Sequence, residues 1–179
     1  AMTHARLLWA LAIFACTGSE STPAKNTGGT LTISTGGDPD VLIPSLVSTV
    51  QAGQMTDMIY DRLADIGDSL NIVNDAGFKP RLADRWTWSP DSLSIAFHIN
   101  PRAKWHDGQP VRSSDVRFTL QSTRDSTLGT PVAALIANID SVSTPDAAPA
   151  VFWFHRRPPP AFSPTPSPVL NALPSRLPR

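Results

Sequence analysis

Large apolar residues occupy every second position in the two halves of a stretch between residues 86 and 99. Alternation with this period predicts β-strands that bury one face. Residues 89–92 separate the halves. There Pro90 fixes a backbone angle suited to a turn, and the Asp91 side chain can close the turn with a hydrogen bond. The pattern therefore predicts a β-hairpin with a buried face made of Trp86, Trp88, Leu93, Ile95, Phe97 and Ile99.

Two other stretches show apolar residues three and four positions apart, as on one face of a helix. The first predicted helix covers residues 48–63. The second covers residues 114–124, with Ser113 as its predicted N-cap. A further short helix should begin at Pro131. The residues expected to face the core are Val50, Met55, Met58, Ile59 and Leu63 in the first helix, Val116, Phe118 and Leu120 in the second, and Val132, Leu135, Ile136 and Ile139 in the third.

Short strands complete the predicted architecture. Leu31 and Ile33 alternate with polar residues from Thr30 onward, and strand-like runs recur at residues 141–143 and 150–155. Residues 65–80 are rich in Gly, Asp and Asn and predict short strands or loops. Residues 30–157 are thus expected to form a mixed α and β domain.

The first sixteen residues resemble an export signal. Arg6 precedes a nine-residue apolar run that ends at Cys16, whereas a bilayer-crossing helix needs roughly 20 apolar residues. The run resembles a bacterial lipoprotein signal in which Cys16 is lipidated; the alternative is a short buried helix with an inert cysteine. Residues 17–29 are rich in Ser, Thr and Gly and are expected to form a flexible tether.

Composition excludes several classes of function. The chain has 15 basic and 15 acidic residues among 179, and no basic stripe of the kind that nucleic acid requires. Its single cysteine allows neither an internal disulfide nor a cysteine-based zinc site. No phosphate-binding loop motif follows its glycine pairs. The sequence therefore predicts no cofactor and no metal.

The last part of the chain differs in composition from the rest. Residues 147–179 contain no acidic residue and nine of the eighteen prolines. A proline-rich stretch neither continues a helix nor donates to a sheet, so residues 158–179 are expected to be an extended tail. A truncated or shifted reading frame is the alternative interpretation.

Residues 80–121 resemble the signature region of the family-five bacterial extracellular solute-binding proteins, which serve ABC importers of peptides, dipeptides and nickel. The resemblance extends upstream to residue 29, and downstream residues 139–142 and 151–154 match more weakly. Two departures occur: Asn100 follows the strand in place of arginine, and Arg112 replaces the threonine that usually caps the next helix, so we expect a shifted or frayed first turn. The matching residues are Pro80, Leu82, Ala83, Trp86, Asp91, Lys104, Trp105, His106, Asp107, Gly108, Asp115 and Val116.

The resemblance implies part of a two-lobed receptor of the periplasmic-binding type II, namely a portion of the first lobe with its accessory subdomain. It implies a monomer that captures peptides or similar small solutes for the permease subunits of an ABC transporter, held at the outer side of a membrane by Cys16. The loop after the first strand borders the ligand cleft in this family. Gly37, Asp38 and Asp40 are therefore candidate ligand-binding residues, with Asp38 and Asp40 available to an ammonium group. The alternative is a solvated loop closed by aspartate side chains.

Two other functions are compatible with the sequence. His106 and Asp107 could serve a small exported hydrolase, although adjacent residues rarely converge on one reacting atom and a structural turn is the simpler interpretation. The chain could also be a remnant of a receptor that has lost ligand binding. A turnover assay of His106→Ala and a peptide-binding assay separate these alternatives.

Overall fold

The computed structural model describes residues 30, 32, 34, 36–70, 75–158 and 172–175. The chain divides into two units, Ala1–Ser34 and Thr35–Arg179. In the first unit only three exposed residues are described: Thr30, Thr32 and Ser34. The predicted export signal with Cys16, the tether, residues Leu31 and Ile33 of the first predicted strand, and most of the proline-rich tail lie outside the described residues.

The second unit is built on two antiparallel sheets. A two-stranded sheet pairs β1 (Ala64–Ile66) with β2 (Phe78–Pro80). A four-stranded sheet contains β3 (Ala83–Trp88), β4 (Ser94–Ile99), β5 (Ile139–Ser143) and β6 (Pro149–Phe154), in the order β3-β4-β6-β5. The predicted strands at residues 141–143 and 150–155 are confirmed, as are the short strands within residues 65–80.

The predicted hairpin between residues 86 and 99 is confirmed. Trp86 pairs with Phe97 across β3 and β4. In the turn, Asp91 Oδ1 accepts hydrogen bonds from the Ser89 hydroxyl at 2.6 Å and the Leu93 amide at 3.0 Å. One expectation was wrong, because Leu93 precedes β4 and is partly exposed. The hydrogen bond from the Leu93 amide to Asp91 instead holds the Leu93 backbone in the turn.

The core lies on one face of the four-stranded sheet, where α2 (Ser113–Arg124) contacts β5 and β6. Three rings form its centre: Phe97 packs against Trp86 at 5.9 Å and against Phe152 at 5.6 Å between ring centroids. Buried aromatic side chains contribute most to such a core because each removes a large apolar area from water. Further core members are Leu63, Leu82, Ile95, Ile99, Val111, Val116, Leu120, Ile136, Ile139, Val142 and Ala150.

The first helix is shorter than predicted and buries a different face. Helix α1 covers Val50–Ile59, and its buried residues are Ala52 and Thr56. Val50 and Met58, predicted to face the core, are 72% and 67% exposed. Apolar spacing shows which residues share a helix face, but which face is covered depends on the neighbouring elements.

The second helix begins one residue earlier than predicted. Its N-cap is Arg112, and the Asp115 side chain accepts a hydrogen bond from the Arg112 amide at 2.9 Å. The predicted cap, Ser113, instead donates its hydroxyl to the Asp146 carbonyl oxygen at 2.5 Å. The first turn is therefore shifted but not frayed, because the acidic half of the capping arrangement is intact.

The third predicted helix is reduced to a single 3₁₀ turn. That turn covers Ala133–Ile136, and Ile139 belongs to β5. Ile136 is buried as predicted, whereas Leu135 is 68% exposed. The strand takes Ile139 because its pairing with Phe154 extends the sheet.

Candidate functional site

The loop of residues 37–40 is ordered by one of its two carboxylates. Asp40 accepts hydrogen bonds from the Ser48 hydroxyl at 2.6 Å and from the Thr49 hydroxyl at 2.9 Å. Thr49 is also the N-cap of α1, where its hydroxyl accepts a hydrogen bond from the Ala52 amide at 3.3 Å. Asp40 thus joins the loop to the start of the helix.

These bonds also stabilise the charge of Asp40. Hydrogen bonds from the Ser48 hydroxyl first, and from the Thr49 hydroxyl second, lower the pKa of the Asp40 carboxyl. Both carboxylate oxygens are engaged. Asp40 is accordingly better placed to hold the loop than to meet a ligand.

Asp38 differs from Asp40 in its surroundings. It is exposed, and within the described part of the chain its carboxylate accepts no side-chain hydrogen bond. Gly37 beside it is exposed as well, and an added Cβ there would meet no atom within 4 Å. Of the predicted pair, Asp38 is therefore the carboxylate to which no described side chain donates.

The His106-Asp107-Gly108 motif forms a tight turn. The Trp105 amide donates to the Gln109 carbonyl at 2.8 Å, and the Gly108 amide donates to the Trp105 carbonyl at 2.9 Å. Asp107 Oδ1 accepts the Gln109 amide at 2.9 Å, and Gly108 has a φ of 81°, which favours glycine. The carboxylate of Asp107 thus closes the turn, and His106 is exposed.

Asp115 joins two segments of the signature region to Ser175 near the end of the chain. Its Oδ2 accepts the Trp105 indole N–H at 3.0 Å and the Arg112 amide at 2.9 Å. Its Oδ1 accepts the Ser175 amide at 3.0 Å and the Ser175 hydroxyl at 2.6 Å. The residue is only 1% exposed, so its charge is stabilised almost entirely by these four donors.

The balance of these effects lowers the pKa of Asp115. Burial by itself raises the pKa, but the hydrogen bonds from Ser175, the Arg112 amide and the Trp105 indole outweigh it. Asp115 is thus a buried, ionised carboxylate. The sequence marked Asp115 as the opening residue of a helix; its bonds to Ser175 were not predicted, because 60 residues separate the two positions.

The structure joins only some of the predicted residues. The Trp105 indole donates to Asp115. Val116, the residue after Asp115, is buried in the core. Trp86 packs against that core, and Asp91 closes the distant hairpin turn. Among the described residues, no group of three or more His, Cys, Asp or Glu side chains could hold a metal ion.

The family to which the chain belongs follows from a comparison with known protein families. Residues 77–177, more than half of the chain, match the model of the bacterial extracellular solute-binding proteins, family 5. The chain belongs to this family. The resemblance seen in residues 80–121 is therefore confirmed, and the family 5 proteins are binding proteins described as extracellular.

Individual family 5 relatives are considerably longer. A Brucella ovis protein, named as a candidate ABC transporter peptide-binding protein, is 41% identical over 88 residues, which are 49% of this chain and 15% of the relative. The solved MoaA of Agrobacterium tumefaciens R10, in complex with mannopinic acid, is 26% identical with a TM-score of 0.62; the match covers 70% of this chain and 25% of MoaA.

The fold is also that of the oligopeptide-binding protein AppA of Bacillus subtilis, solved with a nonapeptide. The TM-score is 0.67 at 19% identity, and the match covers 77% of this chain and 26% of AppA. The predicted fold class, a mixed α and β portion of a family 5 receptor, is confirmed. None of the helices in the described part of the chain is long and apolar enough to span a membrane.

Proposed function

We propose that this chain forms part of a receptor that captures peptides or similar small solutes outside the cytoplasmic membrane for an ABC importer. The family match over residues 77–177 carries the proposal, and the peptide-binding name of the Brucella relative supports it. The chain spans about 15% of that relative, so the solute cleft and the contact with permease subunits belong to the receptor as a whole. Its role is binding, without covalent chemistry.

Within this chain, Asp38 is proposed as the group that meets the ammonium end of a peptide. It is exposed in the loop that follows the first predicted strand, whereas Asp40 is engaged by Ser48 and Thr49. An exposed carboxylate–ammonium pair contributes roughly 0.2–1 kcal/mol.

Asp38→Asn should weaken the binding of a free-amino peptide about 1.4- to fivefold, because one exposed ion pair is lost. The measurement is isothermal titration calorimetry of the chain with an oligopeptide and with the same peptide N-acetylated. The acetylated peptide should bind the variant and the unmodified chain equally. Asp68→Asn, the same charge change at another exposed position, is the matched control.

The outcomes separate the functional alternatives. Peptide binding that Asp38→Asn leaves unchanged would support the family function and contradict the assignment of Asp38. Absence of binding by a folded chain would contradict solute capture by this chain alone, as the remnant interpretation predicts. The hydrolase interpretation would require turnover that His106→Ala abolishes, which the exposed His106 and the turn-closing Asp107 do not favour.

We further propose that Cys16 is lipidated and anchors the chain to a membrane. Cys16→Ser should shift the protein from the membrane fraction to the soluble fraction, because a thioether-linked lipid can no longer form. The measurement is fractionation of cells followed by detection in each fraction. Unchanged partitioning, with the same apparent mass as the unmodified protein, would contradict the anchor.

A further inference from the structure

Residues 172–175 bind against α2 although they follow the proline-rich stretch. The Ala172 amide donates to the Asp61 carbonyl at 3.2 Å, and the Leu173 amide donates to the Thr119 hydroxyl oxygen at 2.8 Å. The Ser175 amide donates to Asp115 Oδ1 at 3.0 Å. We call the surface formed by Asp61, Asp115 and Thr119 the α2 groove.

Every amide N–H in this segment has an acceptor. The remaining residue of the segment, Pro174, has no backbone N–H that would need an acceptor. A segment with these bonds therefore leaves no buried backbone donor unpaired, which removes the main cost of burying backbone. The segment is thus recognised largely through its main chain.

Two of the three acceptors, Asp115 and Thr119, are side chains of α2 that make further bonds besides those to the segment. Asp115 and Thr119 lie one helical turn apart and so face the same side of α2. The Thr119 hydroxyl donates to the Asp115 carbonyl at 2.8 Å, which leaves its oxygen free to accept the Leu173 amide. Asp115 Oδ2 is bonded to Trp105 and Arg112, which orients Oδ1 toward Ser175.

The side chains of the segment supply the apolar part of the contact. Ala172 and Leu173 are each 3% exposed, and Ala172 belongs to the same core cluster as Leu63, Val116 and Leu120. The segment thus buries two apolar residues, and the Ser175 hydroxyl donates to Asp115. A segment with a charge in place of Leu173 would have to bury that charge without a partner.

We propose that the α2 groove is an acceptor site for a peptide of the pattern Ala-Leu-Pro-Ser, which the chain fills with its own residues 172–175. A free peptide of this pattern takes the same place when the chain's own segment is displaced. The groove is separate from the Asp38 loop, so this site does not depend on the proposed solute site. Tethering gives the internal segment a high effective concentration, so it excludes the free peptide from the unmodified chain.

The test uses the full chain with Leu173→Asp, which displaces the segment and leaves the groove intact. Leu135→Asp, the same change at an exposed leucine, is the matched control. The readout is the NMR signal of the Trp105 indole N–H, because this group donates to Asp115. Comparison with Trp105→Phe identifies that signal among the five tryptophans.

Leu173→Asp should shift the Trp105 signal, and millimolar acetyl-Ala-Leu-Pro-Ser-amide should return it to its position in the unmodified chain. A peptide with aspartate in place of leucine should have no effect, and the Leu135→Asp control should neither shift nor respond. Four unchanged tryptophan signals show that the variant is folded. The proposal would be overturned if the Trp105 signal of a folded variant did not move when the peptide was added, or moved equally with the aspartate peptide.

A second variant covers the case in which Leu173→Asp does not fold. Ser175→Pro removes the amide and hydroxyl donors to Asp115 and places no charge against the core. This variant should bind the free peptide at concentrations at which the unmodified chain does not. Equal responses of the variant and the unmodified chain would contradict displacement of the internal segment.

Discussion

Replacing Phe97 by alanine should lower the free energy of unfolding by about 3–5 kcal/mol, the range typical of a large aromatic removed from a core. Phe97 is fully buried in β4 and packs against both Trp86 and Phe152. The substitution would leave a cavity between β3 and β6 that neighbouring side chains fill only in part. Urea unfolding followed by tryptophan fluorescence measures the change.

The matched control for this substitution is Leu135→Ala. Leu135 is 68% exposed, so the change should alter the free energy of unfolding by less than about 0.5 kcal/mol. Equal changes in the free energy of unfolding for the two substitutions would contradict the burial of Phe97 between β4 and its neighbouring strands. The comparison thus tests the sheet order as well as the burial of one ring.

Asp115→Asn should destabilise the fold by about 3 kcal/mol at neutral pH, from the hydrogen bonds to a charged group that it removes. Each carboxylate oxygen of Asp115 accepts two donors. An amide has only one oxygen, so its NH₂ group would face two donors in either orientation. Urea unfolding of both proteins from pH 7 to pH 2 measures the difference.

The pH dependence has a definite sign. The folded-state pKa of Asp115 is lowered, so its ionised form stabilises the fold above the unfolded-state pKa of about 4. That contribution is lost as the pH falls through the folded-state value. The difference between the unmodified chain and Asp115→Asn should therefore be largest at neutral pH and shrink below about pH 4. A difference independent of pH would contradict an ionised Asp115.

Asp38→Asn is the control for the removal of one aspartate charge. Asp38 is exposed and makes no side-chain hydrogen bond to the described residues. Its substitution should change the free energy of unfolding by less than about 0.5 kcal/mol at any pH in this range. A larger effect would show that the loop of residues 37–40 contributes to stability through Asp38 as well as Asp40.

Local patterns predicted local structure well. The hairpin formed as expected because the alternation of Trp86, Phe97 and their neighbours and the Pro90-Asp91 turn favour the same structure. Helix α2 was predicted to within one residue from its apolar spacing. The resemblance of residues 80–121 to a known family was specific because many residue types recur there in a fixed order.

The candidate site was only partly predictable. Two aspartates separated by one residue suggested a binding loop, but the sequence could not show that Ser48 and Thr49 donate to Asp40 and not to Asp38. Apolar spacing placed Val50 and Met58 on one face of α1, and that face is exposed. A helix pattern specifies its own geometry but contains no information on which neighbours cover it.

The amino-acid sequence by itself determined the hairpin, the two helices, the tight turn at Gly108 and the family, since each depends on residues close together in the chain. Only the tertiary structure decided that Ser175 donates to Asp115, that Leu173 is buried, and that Ser48 and Thr49 donate to Asp40 and not to Asp38. These contacts join residues far apart in sequence or select one of two equivalent side chains. They arise from the packing of whole elements and from the pairing of buried donors and acceptors, which no local pattern contains.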